Sequence, residues 1–429
     1  MENKRIKWGA IQPLTGGMYI GAAEAIGHDA EWILSYEGLN EVSKTKNGEI
    51  IASNEYNLLK WLESKNREVP YYQIKERKMF DENVNQTNIN ICLNGIEQTP
   101  DYNDIDLVVA VPVCSGLSVS TRADKGTKEA RNCNMIFLAN YTLNVIKPKV
   151  YCFENAPTLM TTRGDETRSQ LEDIAYNSGY SVLYYKTDTC LHNNCQRRPR
   201  TFVVFTKWND GVMSLPPLFE FESKPMMIPE FFESIDKDAP QQTEVKSFIH
   251  NYAVVDFLNY KFGDTWIGKW ESNLVQHMLK NKLGDEFNRF VIESNKYSSY
   301  EKEKILKYIN HIYEKKSLGL NYYSEDVCYF NKLFPSVQFR SIPNMLHYSG
   351  KRFCTIREYL SLMGMPEDFI LYGNSSCLAK IGQNVPVGTA KFIVSNIVKI
   401  LTDWNYINRE CIGKNVIYQN NIKQKTVII

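Results

Sequence analysis

Short runs of apolar residues recur through the first half of the chain, separated by segments of helical or loop character. Such runs are typical of strands that are buried on both faces of a mostly parallel sheet. The pattern predicts strands at residues 6–11, 50–53, 107–111, 149–153, 181–185 and 201–205. The first half of the chain is therefore predicted to form an α/β domain.

The pattern changes after residue 205. From about residue 207 to 344, long helical pieces interleaved with aromatic residues replace the strand-like runs. One of these helices begins at a capping box, in which Ser298 is followed three residues later by Glu301. A further helix at 389–401 is expected to return to the first domain. We therefore predict one domain from 1–205 plus 346–405, a second from 206–345, and a C-terminal tail at 406–429.

Composition narrows the class of protein only slightly. The 429 residues are 43% hydrophobic and 23% charged, as in an ordinary folded protein long enough for two domains. Lysine plus arginine number 50 against 49 acidic residues, so the net charge of +1 gives no general attraction to a polyanion. The N-terminus has no secretory pattern and the ten cysteines have no disulfide spacing. We expect a cytoplasmic protein with reduced thiols and no membrane association.

A cysteine and a glutamate each follow a predicted strand. Cys114 comes after the strand at 107–111, in a loop with Gly116, and Glu154 and Asn155 follow the strand at 149–153. Open α/β sheets carry their reactive groups at the carboxyl ends of strands. A thiolate can add to a ring carbon while a carboxyl hydrogen-bonds a neighbouring ring nitrogen, so the pair suits attack on an electron-poor ring. The alternative is that Cys114 is a small buried apolar residue.

Polar residues alternate along the segment that enters the strand at 201–205. Gln196, Arg198 and Arg200 are two residues apart, and side chains with this spacing share one face of a strand. All three are therefore predicted to point into one cleft. A solvated basic patch or simple phosphate contacts are the alternatives. A zinc site in segment 190–195 is disfavoured, because a second pair of ligands is missing.

Two further segments are candidates for cofactor binding. A turn with Gly16 and Gly17 joins the first strand to a helix of small residues, where the backbone can approach a ligand. Glu55 and Tyr56 follow the strand at 50–53. If this is the second strand of a doubly wound sheet, Glu55 can accept hydrogen bonds from a ribose and Tyr56 can stack on adenine. Each segment by itself is also typical of ordinary α/β structure, with Asn54 as a helix cap.

Seven segments, in order along the chain, resemble the motifs of the DNA (cytosine-5)-methyltransferases: TGGM, SNEY, PVCSGLS, FENAP, QRRPR, RFCTIREYLSLMGMPEDF and IGQNVPV. The resemblance covers roughly residues 1–205 and 340–400. It implies a Rossmann-like S-adenosylmethionine-dependent methyltransferase domain, with a mostly parallel doubly wound sheet, and a second, smaller target-recognition domain. The chain departs from the family at Leu14, where a third glycine is usual, and has extra sequence at about 28–48 with no assigned role.

The resemblance implies a role for each matching residue. Cys114 is implied to be the nucleophile toward carbon 6 of cytosine, and Glu154 is implied to hold the ring at nitrogen 3 and the exocyclic amine. The implied catalytic residues are Cys114, Glu154, Arg198, Arg200, Asn155 and Gln196. The residues implied to bind S-adenosylmethionine are Thr15, Gly16, Gly17, Met18, Glu55, Tyr56, Pro112, Gln383, Asn384 and Val385.

The implied reaction is transfer of a methyl group from S-adenosylmethionine to carbon 5 of cytosine in double-stranded DNA, on a base flipped out of the duplex. No metal is expected. We expect a monomer encoded by a prokaryote or a phage, for which a cognate restriction endonuclease acting on the same site is a candidate partner. Two alternatives stay open: an RNA (tRNA) cytosine-5 methyltransferase on the same fold, and a catalytically inactive relative that only binds DNA.

Overall fold

The computed structural model describes residues 5–36, 38–44, 46–48, 50–74, 100–114, 117, 133–267, 272–319, 328–329, 333–335, 345–373, 377–402 and 415–428. Within these ranges the strands are β1 (Trp8–Ile11), β2 (Trp32–Tyr36), β3 (Val42–Lys44), β4 (Ile50–Ala52), β5 (Tyr71–Ile74), β6 (Leu107–Ala110), β7 (Val150–Asn155), β8 (Tyr180–Asp188), β9 (Gln196–Arg197), β10 (Pro199–Lys207), β11 (Ser272–Asn273), β12 (Cys328–Tyr329), β13 (Phe334–Pro335), β14 (Val416–Asn420) and β15 (Lys425–Ile428).

The described helices alternate with the strands in the first half and dominate the second. They are α1 (Gly17–Ile26), α2 (Asn54–Ser64), α3 (Cys133–Tyr141), α4 (Asp165–Ser178), α5 (Ile228–Glu233), α6 (Ile249–Phe262), α7 (Leu274–Lys280), α8 (Gly284–Glu293), α9 (Ser299–Ser317), α10 (Ile356–Leu362), α11 (Leu378–Gln383) and α12 (Val387–Thr402).

A nine-stranded sheet forms the centre of the molecule, in the order β15-β14-β8-β10-β7-β6-β1-β2-β5. Within it, β10 and β15 are antiparallel to their neighbours, and the other described strands run in one direction. From β1 the chain continues to β2 on one side and later to β6 on the other. This switch point is where doubly wound sheets bind ligands, outside the carboxyl ends of the strands. The predicted mostly parallel α/β sheet is confirmed.

Both faces of the sheet are covered, which explains why its strands are apolar throughout. In β6, Leu107 and Val109 pack into a core shared with α1 and α12, while Val108 and Ala110 pack into a second core with α3. Strands β7 and β10 divide their side chains between the same two cores. Alternation along a strand sends neighbouring residues to opposite faces, so no position is left for a polar surface stripe.

The strand predicted at 50–53 is present, but it does not belong to the nine-stranded sheet. It is β4, which pairs with β3 in a two-stranded sheet separate from the main sheet. The second strand of the main sheet is β2, which pairs in parallel with β1 and with β5. The prediction that residues 50–53 form that second strand is therefore wrong. The sequence at about 28–48, to which no role was assigned, contains β2 and the first strand of the hairpin.

Helices α6 to α9 enclose a third cluster of buried apolar side chains, separate from the two cores of the sheet. Helix α9 begins at the predicted capping box: the backbone N–H of Ser298 donates to Glu301 Oε2 at 2.8 Å, and that of Glu301 to Ser298 Oγ at 3.3 Å. Earlier side chains of the helical region, including Phe219, Ile228 and Phe231, pack instead into the core on the α1 and α12 face of the sheet.

The C-terminal segment extends the sheet. Strand β14 pairs in parallel with β8, and β15 pairs with β14, so part of the predicted tail is sheet structure. Within the described ranges, one segment, Leu378–Thr402, is long and apolar enough to cross a membrane by length and composition alone. More than half of its apolar window is buried inside the protein, as in the core helix of a globular fold. It contains α12, which confirms the helix predicted at 389–401.

Candidate active site

Three strands bring the candidate catalytic groups to one edge of the sheet. Parallel strands β6 and β7 pair Ala110 with Phe153, so their carboxyl ends lie side by side. Cys114 follows β6 by four residues, and Asn155 is the last residue of β7. Strand β10 is antiparallel to β7 and begins at this same edge with Pro199. The fold therefore collects the thiol, the carboxyl and the arginines predicted from the sequence.

Glu154 and Arg200 form a buried ion pair. Phe202 of β10 pairs with Glu154 of β7, and Arg200 lies two residues from Phe202 on the same face. The Arg200 Nε donates to Glu154 Oε1 at 2.6 Å. The Glu154 residue is only 4% exposed. A short charge-assisted bond in such surroundings fixes the orientation of both side chains.

Burial also changes the proton affinity of this carboxyl. Desolvation raises the pKa of Glu154 above its ordinary value, and the charges of Arg200 and Arg198 lower it without cancelling the rise. A carboxyl with a raised pKa holds its proton more readily at neutral pH. Glu154 can therefore donate a hydrogen bond or a proton to an acceptor such as a ring nitrogen.

The loop that carries Cys114 is fixed on both sides of the thiol. The backbone N–H of Val113 donates to Asn134 Oδ1 at 2.9 Å, and Asn134 is a buried residue of α3. The N–H of Leu117 donates to the carbonyl of Cys114 at 3.1 Å, closing a turn. The Thr158 hydroxyl, just after β7, donates to the Leu117 carbonyl. Residues 115 and 116, including the predicted loop glycine, lie outside the described residues.

The thiol of Cys114 is half-buried and lies within the electric field of the ion pair. Desolvation raises its pKa, the charge of Glu154 raises it further, and Arg200 and Arg198 oppose the rise. Because a thiolate is the reactive form, these two arginines are the groups that favour reactivity. Protonation of Glu154 would remove the main opposing charge.

Arg198 and Gln196 are buried and bind backbone carbonyls of the C-terminal part of the chain. Arg198 Nη2 donates to the carbonyls of Gly382 at 2.7 Å and Asn384 at 2.9 Å, and burial lowers its pKa to about 9. Gln196 is fully buried and donates to the Leu362 carbonyl at 2.5 Å. The charge of Arg198 still acts on the catalytic groups. The described contacts of Gln196 instead connect β9 with the end of α10.

Asn155 contributes to the shape of the loop that follows β7. Its Oδ1 accepts a hydrogen bond from the backbone N–H of Ala156 at 2.9 Å, and the residue is fully buried. Its Nδ2 has no hydrogen-bond partner among the described residues. A buried amide donor without a partner is unusual, and here it belongs to the residue directly after Glu154.

The glycine turn after β1 is joined to the segment at 383–385. The Thr15 hydroxyl donates to the Lys380 carbonyl at 2.9 Å, and the Gly17 N–H donates to Asn384 Oδ1 at 2.7 Å. A Cβ on Gly17 would lie 1.8 Å from the Val385 carbonyl oxygen, so only glycine fits. The structure therefore brings together the two ends of the predicted cofactor site.

The remaining predicted cofactor residues lie around this turn. Gln383 is half-buried and its Oε1 accepts a hydrogen bond from the Asn54 side chain. Met18 is fully buried and packs in the core, and Pro112 is buried beside the Cys114 loop. Tyr56 is half-buried, with its ring edge-on to Tyr372 at 5.7 Å between centroids.

The turn has features that suit S-adenosylmethionine. Gln12, Leu14 and Gly16 all have left-handed backbone conformations, with φ of 49°, 53° and 106°. This backbone leads into the N-terminus of α1, where amide N–H groups attract a carboxylate such as that of the methionine moiety. The turn also lies at the switch point of the sheet. The donor groups and their place in the fold therefore fit the cofactor.

The structure places Glu55 differently from the prediction. Glu55 is fully buried, and its two carboxylate oxygens accept hydrogen bonds from Ser35 Oγ at 2.9 Å and the Tyr71 hydroxyl at 2.6 Å. It follows β4, which is not a strand of the main sheet. The reason given for a ribose contact is therefore wrong. The main-sheet strand β2 ends at Tyr36, and residue 37 lies outside the described residues.

Replacing Asn384 by alanine is expected to loosen the junction between the glycine turn and segment 383–385. The change leaves the buried N–H of Gly17 without its acceptor, which costs about 1–3 kcal/mol of stability. Gln383→Ala is the matched control, because this neighbouring residue is only half-buried and its loss leaves the Gly17 acceptor in place. Denaturant unfolding should show the larger loss for Asn384→Ala; equal losses in both variants would contradict this role.

Asn134 and Thr158 were missed by sequence reasoning. Both act on the backbone of the Cys114 loop, through bonds that join parts of the chain 21 and 41 residues apart. Asparagine and threonine are common in loops and helices, so neither stands out before the fold is known. The contact becomes visible only when the ends of β6 and β7 are placed side by side.

A Rossmann-like sheet with a thiol, a carboxyl and two arginines at its carboxyl edge defines an α/β enzyme suited to nucleophilic attack on a ring. A sequence model of the family described as C-5 cytosine-specific DNA methylase matches residues 36–399. The chain belongs to this family. It is therefore a methyltransferase, and its family implies S-adenosylmethionine as the methyl donor.

Solved structures with a similar fold include a candidate DNA modification methyltransferase encoded within a prophage (E. coli). That chain has a TM-score of 0.51 and 16% identity, over 93% of this chain and 100% of its own. The Entamoeba histolytica methyltransferase EhMeth has a TM-score of 0.49 and 11% identity, over 94% and 99% of the two chains. No curated protein sequence matches the chain.

Proposed function

We propose that the protein methylates carbon 5 of cytosine in double-stranded DNA, with Cys114 as the covalent nucleophile. The observation that carries the proposal is the buried pair of Glu154 and Arg200, at 2.6 Å, whose charges act on the Cys114 thiol. A nucleophile, an acid and a cation at one sheet edge match the needs of this reaction, because carbon 5 of cytosine is too poor a nucleophile to take a methyl group until a thiolate has added at carbon 6.

Cys114 acts first. Its thiolate forms a bond to carbon 6 of cytosine, and the displaced electron pair moves toward carbon 5, which becomes nucleophilic. Glu154, with its raised pKa, donates its proton or a hydrogen bond to nitrogen 3 and so stabilises the charge that develops on the ring. Arg200 holds the Glu154 carboxyl in position throughout.

The turn after β1 and the N-terminus of α1 would hold S-adenosylmethionine, which would supply an electrophilic methyl group: carbon 5 would bond to it as the methyl–sulfur bond breaks and S-adenosylhomocysteine is left. Loss of the carbon 5 proton to a base or water then restores the ring double bond and breaks the bond to Cys114 Sγ. The thiolate is regenerated, and methylcytosine leaves. The same cation pair, Arg198 and Arg200, favours the thiolate at both ends of the cycle.

A cytosine in duplex DNA cannot reach a half-buried thiol while it is stacked, so the base must be flipped out. We propose that the helical unit with its own core, formed by α6 to α9, serves as the target-recognition domain. Segment 334–335 pairs with β9, beside the arginines, which puts the end of the helical region next to the site. Residues 320–327 and 336–344 lie outside the described residues.

Methyl transfer from tritiated S-adenosylmethionine to duplex DNA tests the proposal directly. Label should enter DNA and be recovered as 5-methylcytosine after hydrolysis, with little label in tRNA. Label in tRNA alone would replace the DNA proposal by an RNA methyltransferase. If neither DNA nor tRNA is labelled although the protein binds the cofactor, an inactive DNA-binding relative would be favoured. The intact set of Cys114, Glu154 and the arginines argues against inactivity.

A further inference from the structure

Glu55 joins three elements around the cofactor turn. It accepts hydrogen bonds from Ser35 of β2 at 2.9 Å and from Tyr71 of β5 at 2.6 Å, and the backbone N–H of Leu14 also hydrogen-bonds its carboxyl. Leu14 lies in the turn after β1 and has a left-handed φ of 53°. A residue with a side chain is strained in this conformation, and it persists only where the surroundings hold it.

A carboxyl is an unusual choice for this position. Glu55 is fully buried, and the described groups that hydrogen-bond to it are all neutral: Ser35, Tyr71 and the Leu14 amide. Burying an acid without a cation is unfavourable, whereas three donors converging on one acceptor group favour its ionised form. Burying a neutral glutamine at this position would cost less free energy than burying a carboxyl. The presence of glutamate therefore indicates that the negative charge itself has a function.

We propose that Glu55 is a positioning residue for the cofactor: it holds the Leu14 turn in its left-handed form and supplies a negative charge behind the bound sulfonium cation. The inference rests on the proposed function only in taking the turn as the cofactor site. Glu55 contacts neither cofactor nor base in this account. It acts through the backbone of Leu14, whose turn it holds, and through its negative charge.

The negative charge of Glu55 should make the protein bind the methyl donor more tightly than the demethylated product. S-adenosylmethionine carries one more positive charge than S-adenosylhomocysteine, which has no sulfonium. An ionised carboxylate that hydrogen-bonds the backbone of the cofactor turn should favour the extra positive charge by about several-fold, because Coulomb attraction through a protein interior is only partly screened. Ionised Glu55 would thus favour binding of the methyl donor and release of the product.

This preference should depend on pH. Burial raises the pKa of Glu55 to about 7, and the hydrogen bonds from Tyr71, Ser35 and Leu14 lower it from a still higher value. Tyr71 is the titratable group that faces it from β5, and burial and Glu55 itself raise the pKa of Tyr71 well above 10, so Tyr71 stays protonated. Glu55 is therefore neutral below about pH 6 and ionised above about pH 8.

Isothermal titration calorimetry of the full chain, without nucleic acid, tests the proposal. The ratio of the S-adenosylhomocysteine Kd to the S-adenosylmethionine Kd should rise about 3-fold or more from about pH 6 to pH 8, because Glu55 passes from mostly neutral to mostly ionised over this range. The amino group shared by both ligands cancels in this ratio. In Glu55→Gln the ratio should be flat with pH and stay near its low-pH value.

Glu172→Gln is the matched control. Glu172 also has a raised pKa and accepts a hydrogen bond from a tyrosine, Tyr418, but it lies on α4, which packs in the core on the other side of the sheet. This variant should keep the pH-dependent ratio. A purely structural role of Glu55 would weaken both ligands equally and leave the ratio dependent on pH.

A flat ratio in the wild-type protein, or an unchanged pH-dependent ratio in Glu55→Gln, overturns the proposal while the proposed function stands. Failure of the wild-type protein to bind either ligand would instead overturn the proposed function. If Glu55→Gln does not fold, Tyr71→Phe replaces it. Loss of the Tyr71 donor should shift the rise in the ratio to higher pH, and no shift would count against the proposal.

Discussion

Serine in place of Cys114 is expected to reduce methyl transfer by at least about 1000-fold, because an alkoxide is not available at neutral pH to add to carbon 6. Serine keeps a side chain of nearly the same size, and the Cys114 loop is held by backbone contacts that the change leaves in place. S-adenosylmethionine affinity and the unfolding midpoint should therefore change little. Single-turnover methylation of duplex DNA measures the rate, calorimetry measures the cofactor affinity, and thermal unfolding measures the midpoint.

Cys190→Ser serves as the control for this substitution. Cys190 is a buried free cysteine near the arginine strand, and its thiol interacts with Asp188, a contact that serine can keep. Methylation should stay within a few-fold of wild type. A Cys114→Ser variant with substantial activity, or a Cys190→Ser variant that loses it, would remove Cys114 from its role as nucleophile.

Glutamine in place of Glu154 is expected to lower the rate of methyl transfer by about 100- to 1000-fold, the range typical of a lost general acid. Glutamine keeps an oxygen that can accept the Arg200 hydrogen bond, so the fold should survive. It cannot donate a proton to nitrogen 3 as a carboxyl can. The rate constant at saturating cofactor and DNA is the measurement, with Glu172→Gln expected to retain wild-type rates.

The pH profile gives a second view of the same carboxyl. If protonated Glu154 is the active form, the rate falls as pH rises through its pKa. Arg200 lowers that pKa, so Arg200→Met should move this limb of the profile to higher pH as well as slow the reaction. A limb that moves to lower pH, or does not move, would contradict the assignment of the ion pair.

The central strands could be predicted because burial on both faces leaves a simple signal. Residues 107–111, 149–153 and 201–205 are short runs made almost entirely of apolar residues, and they appear as β6, β7 and β10. Strand β2 was missed, although its five residues are all buried. The more visible run at 50–52 drew the prediction, but it belongs to a hairpin. Strand β14 pairs with β8, more than 200 residues earlier, and local pattern carries no information on such a pairing.

The catalytic side of the site was predictable and the supporting contacts were not. Cys114, Glu154 and Arg200 follow or begin strands, and the parallel sheet places such positions at one edge. Alternation alone suggested that Gln196 shares their cleft, but β9 and β10 are separate strands and Gln196 bonds to Leu362. Glu55 was assigned from its place after a strand, and its true neighbours depend on which strand that is.

A covalent bond between Cys114 and the cytosine ring is the central step of the proposed reaction. Duplex DNA with 5-fluorocytosine at the target position tests it, because fluorine at carbon 5 cannot leave as a proton does and the adduct cannot break down. Incubation with S-adenosylmethionine should give a protein–DNA complex that survives denaturation, and mass spectrometry should place the modification on the peptide that contains Cys114. A complex through another residue, or none from a protein that methylates ordinary DNA, would contradict the account.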